Sequence, residues 1–329
     1  MTELTRRTLL AGAAAATAVP LAATMPAHSA APPAGKQAPG WYRYKVGTYE
    51  VTVVTDGARV QPLPDNFVQN QAKPEVNKAL EAAHLEKDKL TIPFNPIVVN
   101  TGSKLVVIDT GVGPGAYEQS KGAMGQFHTN LAAAGIDVKN VDAVVITHFH
   151  GDHINGLVGT DNKPAFPNAE ILVPAAEWAY WMDDGNMSRA PAGGIVETNF
   201  KNARRVFGIV TKTTKYEPGK EVAPGIMTQS TPGHTPGHVS HIISSGNVRV
   251  LVQADVTNLP ALFVRNPGWH AVFDMDGKQA EETRRKVYDM AIAEKLMIQG
   301  FHYPFPSAGW VEKDGTGYRV VPISWNPVI

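Results

Sequence analysis

The segment T-H-F-H-G-D-H, residues 147–153, places histidines at 148, 150 and 153 and an aspartate at 152. The stretch before it, V-D-A-V-V-I-T (141–147), reads as a buried strand, because a short unbroken apolar run suits a strand covered on both faces. Residues two apart leave an extended strand on the same side, so His148 and His150 point together. Gly151 lets the chain turn sharply, and Asp152 and His153 follow it. One set of side chains can therefore face one metal ion and the other set a second. Imidazole and carboxylate ligands without thiolate suit Zn²⁺. The chain has no cysteine, which excludes thiolate ligands, disulfides and a cysteine nucleophile alike.

Reading outward, polar residues recur where apolar strands end. I-V-V-N-T-G-S-K-L-V-V-I-D-T-G (97–111) predicts a hairpin whose second strand ends at Asp109. Strands are also expected at 49–57, 170–174, 226–234 (ending at His234), 238–244, 248–255 (ending at Asp255) and 296–302 (ending at His302). Helices are expected at 74–85, 124–134, 175–183, 197–207 and 278–295. Strands outnumber helices and hairpins dominate. This pattern predicts an α+β chain of two sheets with helices outside. The insert from Val60 to Pro96 is long for a gap between two strands. It is compatible with a lid, a homodimer contact or a surface excursion.

The N-terminus has its own logic. T-R-R-T-L-L-A (5–11) leads into an Ala-rich apolar run to Ala23 and then small residues, the layout of an export signal over residues 1–30. Arg6-Arg7 with Leu9-Leu10 resembles a twin-arginine signal, which implies a periplasmic or secreted protein. The apolar run is too short to span a bilayer and Pro20 interrupts it, so no membrane span is expected in the mature protein. A-P-P-A-G-K-Q-A-P-G places a linker over residues 31–42, with the folded domain at 43–329. Basic and acidic residues balance at 30 each, so nothing points to a nucleic-acid partner.

H-F-H-G-D-H followed by T-P-G-H-T-P-G-H (231–238), Q-A-D-V (253–256), G-F-H (300–302) and D-T-G (109–111) resembles the metallo-β-lactamase superfamily. The resemblance runs over about residues 45–305. It implies the αββα sandwich, two mixed sheets flanked by helices, and two Zn²⁺ per chain, with other divalent metals admissible. It also implies that His148, His150 and His234 hold the first metal, that Asp152, His153 and His302 hold the second, and that Asp255 bridges them. Zinc β-lactamases lack a bridging aspartate at the position of Asp255, so that activity is not expected. Within the superfamily the chain resembles the exported methyl parathion hydrolase and lactonase type, on F-N-P-I-V-V-N-T-G-S-K-L-V-V-I-D-T-G, E-W-A-Y-W-M-D-D and G-F-H-Y-P-F-P-S-A-G. Acyl-homoserine lactonases place a tyrosine shortly after the bridging aspartate, where this chain reads V-T-N-L-P (256–260).

The function so implied is hydrolysis of lactones or aryl esters, and of organophosphate triesters, by a hydroxide bridging the two metals. Asp152 and Asp255 are the candidate catalytic residues. A glyoxalase II-like thioesterase and a di-iron oxidoreductase on the same ligand set are the alternatives. Asp109, Thr147 and His238 are candidates for hydrogen bonds that orient the ligands. A hydrophobic ester, lactone or phosphotriester calls for an apolar pocket, with Trp178, Trp181, Phe200, Trp269 and Phe273 as candidate walls. Trp178 and Trp181, three apart on a helix, should share a side.

Overall fold

The computed structural model describes residue 35 and residues 37–329. The signal expected at 1–30 lies outside the described residues, as do positions 31–34 and 36 of the linker. The fold is that of the compact unit Pro39–Ile329.

The first half of the unit runs β1 (Trp41–Val46), β2 (Tyr49–Val54), β3 (Gly57–Pro62), α1 (Lys73–Ala82), β4 (Lys89–Phe94), β5 (Ile97–Asn100), β6 (Leu105–Ile108), α2 (Phe127–Ala133), β7 (Ala143–Val145), α3 (Gly151–Ile154), β8 (Glu170–Pro174), α4 (Ala175–Trp181), α5 (Ile195–Ile209) and β9 (Thr213–Tyr216). The second runs β10 (Glu221–Ala223), β11 (Ile226–Ser230), β12 (Val239–Ser245), β13 (Val248–Ala254), α6 (Gly277–Ala293), β14 (Met297–Gly300), β15 (Ala308–Asp314) and β16 (Gly317–Pro322). One correction falls at the start. Trp41 and Tyr42, expected in the linker, already pair with Val54 and Val53 in β1.

Two mixed sheets form, in the orders β1-β2-β5-β6-β7-β8-β9 and β10-β11-β12-β13-β14-β15-β16, and β3-β4 stands apart as a ribbon. Alternation along each strand divides the apolar side chains between layers. Ala143 and Val145 of β7 join Val250 and Val252 of β13 in the core between the sheets. Val144 turns the other way, against Phe200, Ala203 and Val206 of α5. Leu251 of β13 packs outward on Val287, Tyr288 and Ala291 of α6. Layers of helix, sheet, sheet and helix result, the αββα sandwich. Each fully buried Val or Leu contributes roughly 1.5–3 kcal/mol relative to exposure.

The helices bury what their period predicts. In α6 the buried positions are Ala280, Arg284, Val287, Tyr288 and Ala291, one stripe at helical spacing, and Asp276 caps the start by accepting from the Gln279 amide. No described helix is long and apolar enough to cross a membrane.

The insert at 60–96 is neither loose nor peripheral. Phe67, Leu80 and Phe94 pack with Leu262, Phe263 and Phe301 in a separate apolar cluster. This anchors the β3-β4 ribbon beside the ends of β13 and β14.

Candidate metal centre

Strand direction gathers the site. β6 and β7 are parallel, and so are β13 and β14, so within each pair the C-terminal ends lie at one edge. Asp109 follows β6, Thr147 to His150 follow β7, Asp255 follows β13 and His302 follows β14. Asp109 and Ala254 both adopt positive φ, 59° and 51°, at the strand ends where the chain redirects these side chains. His148 and His150 turn toward the site while Phe149 between them is buried against Phe207, as alternation requires. The short helix α3 then brings in Asp152 and His153. His234 sits in the loop after β11. Gly233 there has φ 129°, and a Cβ on it would lie 2.3 Å from the Ala280 nitrogen, so no other residue fits.

All seven candidate ligands converge. The rings of His148, His150 and His234 lie 4.7, 4.7 and 4.9 Å apart, a closed triangle. Asp152, His153 and His302 form a second group, with His302 Nε2 3.4 Å and His153 Nε2 3.7 Å from Asp152 Oδ2. Asp255 stands between them. Its Oδ1 is 3.3 Å from His153 Nε2, and its Oδ2 is 3.3 Å from His234 Nε2 and 3.0 Å from His302 Nε2.

The donor set fits divalent cations on a specific observation. His148 Nε2, His153 Nε2 and Asp255 Oδ1 are buried and have no hydrogen-bond partner among the described residues. Orphaned buried lone pairs are costly unless something binds them. Their outer nitrogens, by contrast, are engaged. His153 Nδ1 donates to Asp109 Oδ2 (2.7 Å), His234 Nδ1 to Asp274 Oδ1 (3.0 Å) and His302 Nδ1 to the Pro93 carbonyl (2.8 Å). His148 Nδ1 meets the Thr147 hydroxyl at 3.0 Å. Each of these bonds leaves Nε2 as a lone pair aimed inward, the tautomer a metal needs.

Burial and the clustered carboxylates set the electrostatics of these groups. Burial raises the Asp255 carboxyl, but His302 and His153 beside it outweigh this and hold it well below the usual range. Burial lowers His150, and the neighbouring His234 adds to this, taking it to about 3. Burial also lowers His153, but Asp255, Asp109 and Asp152 hold it well above an ordinary histidine.

The expected orienting residues lie where they can act. Asp109 also accepts from the Thr147 amide (2.9 Å) and hydroxyl (2.8 Å), tying β6 to the histidine loop. His238 accepts from the Asp255 amide at 3.1 Å through Nε2, and its Nδ1 faces the Thr231 hydroxyl at 2.8 Å. Burial takes its pKa to about 3, so it stays neutral and can accept that bond.

Two further orienting residues carry no sequence signal. Glu177 of α4 is fully buried; its Oε2 accepts from the Phe149 amide (3.0 Å) and the Trp181 indole (2.7 Å), its Oε1 from the Gly237 amide (2.7 Å). One carboxylate thus ties together both histidine-bearing loops. Asp274 holds His234 and meets buried Arg284 of α6 at 3.3 Å. Arg284 also donates to the carbonyls of Val256, Pro267 and Trp269.

A cavity of about 770 Å³ opens on His150, Asp152, His234, Asp255 and His302. Of the expected wall residues, Trp181 and Phe273 line it, and the other three need correction. Phe200 is fully buried behind Trp181, its ring 4.7 Å away. Trp178 packs toward Phe149, Phe207 and Lys215, because α4 turns only Trp181 to the cavity. Trp269 packs against the insert cluster. The insert itself supplies a wall through Ile92 and Phe94. The lining is mixed rather than apolar, with Arg59, Arg205 and several amides among it.

Comparison with known proteins agrees with this geometry. The family model of the metallo-β-lactamase superfamily matches residues 94–293. A solved structure of AidC, a dizinc quorum-quenching lactonase in complex with a product, superposes with a TM-score of 0.78 at 25% identity, over 87% of this chain and 98% of that one. The hydrolase AbOPH of the β-lactamase superfamily gives a TM-score of 0.80 at 26% identity, over 88% and 100%. Among curated proteins, the anti-Pycsar protein Apyc1 of Paenibacillus sp. (strain J14) is 30% identical over 145 residues, 41% of this chain and 54% of that protein. The chain spans about half the length of the curated relatives it matches.

Proposed function

This chain belongs to the metallo-β-lactamase superfamily, and on that footing we propose that it is a dinuclear zinc hydrolase of lactones or aryl esters, with organophosphate triesters as further substrates. The observation that carries this reading is Asp255, whose two oxygens face histidines of both groups inside one cavity. His148, His150 and His234 would hold one ion, Asp152, His153 and His302 the other, with Asp255 shared. Two zinc ions so held supply a nucleophilic water at neutral pH and a Lewis acid for the substrate oxygen.

The protein's own residues do the rest. The Asp152 side chain is 23% exposed while its neighbours are closed off, so it faces the cavity and can take a proton and pass it to the leaving oxygen. Trp181 and Phe273 hold the apolar part of the substrate. Asp109, Glu177 and Asp274 fix the ligands before substrate arrives, so no reorganisation is needed at the moment of reaction. The similarity to AidC, described as a lactonase, supports the lactone as the preferred electrophile. Export of the mature protein is part of the proposal and rests on Arg6-Arg7 and the apolar run behind them.

The test is a comparison of second-order rate constants for an aryl lactone and a methyl phosphotriester, with zinc content measured on the same sample. About two zinc ions per chain and a lactone rate far above the phosphotriester rate support the proposal. A comparable or higher phosphotriester rate makes it an organophosphate hydrolase. A metal-loaded protein inert toward both sinks the reading.

A further inference from the structure

We propose that Asn258 is a catalytic hydrogen-bond donor, whose side-chain amide binds the substrate carbonyl oxygen as negative charge grows on it. The assignment rests on the hydrolase reading above.

Asn258 lies three residues beyond Asp255 and lines the same cavity as Asp255 and His302. It is buried, with 6% of its surface exposed. Its Oδ1 accepts from the Leu259 amide at 3.0 Å, which fixes the orientation of the group. The opposite end of the amide, Nδ2, has no hydrogen-bond partner among the described residues. The side chain is thus anchored at its oxygen, while its N–H donors open on the cavity, free to meet an acceptor that binds there.

The turn that carries it is held from several directions. The Gln253 side chain donates to the Thr257 carbonyl (3.1 Å) and Arg284 to the Val256 carbonyl (3.1 Å). Tyr288 in turn donates to Gln253 Oε1 at 2.9 Å. Val256 and Leu259 on either side are buried in separate apolar clusters. The donor is therefore preorganised, and no freedom is lost in using it.

The chemistry it would serve is simple. Attack of a water oxygen on the carbonyl carbon forms a C–O bond and moves the C=O electron pair onto oxygen. The Asn258 N–H stabilises that charge. Collapse returns the pair, breaks the bond to the leaving oxygen and delivers the water proton to it. Neutral amides donate at any ordinary pH, so this contribution does not titrate.

The experiment compares an aryl ester with the thionoester in which sulfur replaces the carbonyl oxygen, since sulfur accepts hydrogen bonds poorly. The variants are Asn258→Asp, which keeps the acceptor for the Leu259 amide, and Asn258→Leu, which keeps bulk. Both should lower kcat on the oxygen ester by about 10- to 100-fold with little change in KM, and the thionoester rate far less. The ratio of the two rates is internal to each variant, so a change in the folded fraction moves both alike, and metal content is measured on every sample and compared only between equally loaded proteins. A second readout is calorimetric binding of the carboxylate product, which should weaken in both variants. An active wild type whose ratio survives both substitutions overturns the role of Asn258 alone. A wild type inert toward both esters overturns the hydrolase reading and this assignment with it.

Discussion

Replacing Glu177 with glutamine tests whether one buried carboxylate holds the two histidine-bearing loops together. The change is isosteric, but it turns one acceptor into a donor. The carbonyl of glutamine will keep the position with two donors, the Phe149 amide and the Trp181 indole. The NH₂ is then forced against the Gly237 amide, now 2.7 Å from Oε1. One charge-assisted bond is lost, roughly 1.5–3 kcal/mol, and one buried N–H is left open, roughly 1–3 kcal/mol, with incomplete additivity between them. The net loss comes to about 2–4 kcal/mol, or roughly 4–8 °C in Tm for a chain of this size. Calorimetry of metal-loaded and chelator-treated protein reads this directly. Because Phe149 lies between His148 and His150, and Gly237 shares a loop with His234, metal affinity should fall too, about 10- to 100-fold. The loss should concern one ion of the two, the one held by those three histidines. A chromophoric chelator titration gives that number. A variant with wild-type Tm and wild-type affinity for both ions would show that Glu177 holds neither loop.

Three other outcomes are expected. Asp255→Asn should lose about one metal ion per chain and most activity, read by elemental analysis beside the lactone assay; normal content and rate would remove Asp255 from its bridging place. Asp274→Ala strips buried Arg284 of its carboxylate and His234 of its partner, which should cost about 3–5 kcal/mol in urea unfolding, toward the low end because three carbonyls still receive Arg284. Asp56, fully buried beneath the Phe127 and Val112 amides, should make stability pH-dependent. Burial pushes its carboxyl from 3.8 up to about 7, against the downward pull of those amides. Its contribution is thus fully present below about pH 4 and declines as pH rises through 7, by at most about 4 kcal/mol. Stability curves of wild type and Asp56→Asn should diverge over that window, and parallel curves would contradict the shift.

Chemistry resides in the site rather than the fold, so the lining of the cavity bears on substrate choice. Here the large apolar side chains of the cavity wall include contributions from separate parts of the chain. The insert gives Ile92 and Phe94, α4 gives Trp181, and the segment before α6 gives Phe273. Changes in any of these can retune substrate choice without touching the metal ligands.

Local rules in the amino-acid order gave the two sheets, the outer helices and the clustering of the histidines at 148, 150 and 153, while the full ligand set was legible only through the family resemblance. Alternation fixes which side of a strand His148 and His150 take, a glycine permits the turn to Asp152 and His153, and apolar strands ending in Asp109, Asp255 and His302 mark the strand ends that carry polar groups, Asp109 in one sheet and Asp255 and His302 in the other. The role of the insert, the pocket walls and the outer partners of the ligands emerged only in three dimensions. Trp178 and Trp181 lie on one helix three apart, yet only the docking of α4 on α5 selects which of them meets the cavity. Glu177 sits 60 positions from Gly237, and Asp274 lies 40 from His234, with no local pattern linking them. Packing of remote segments places these groups, and no period along the chain encodes it.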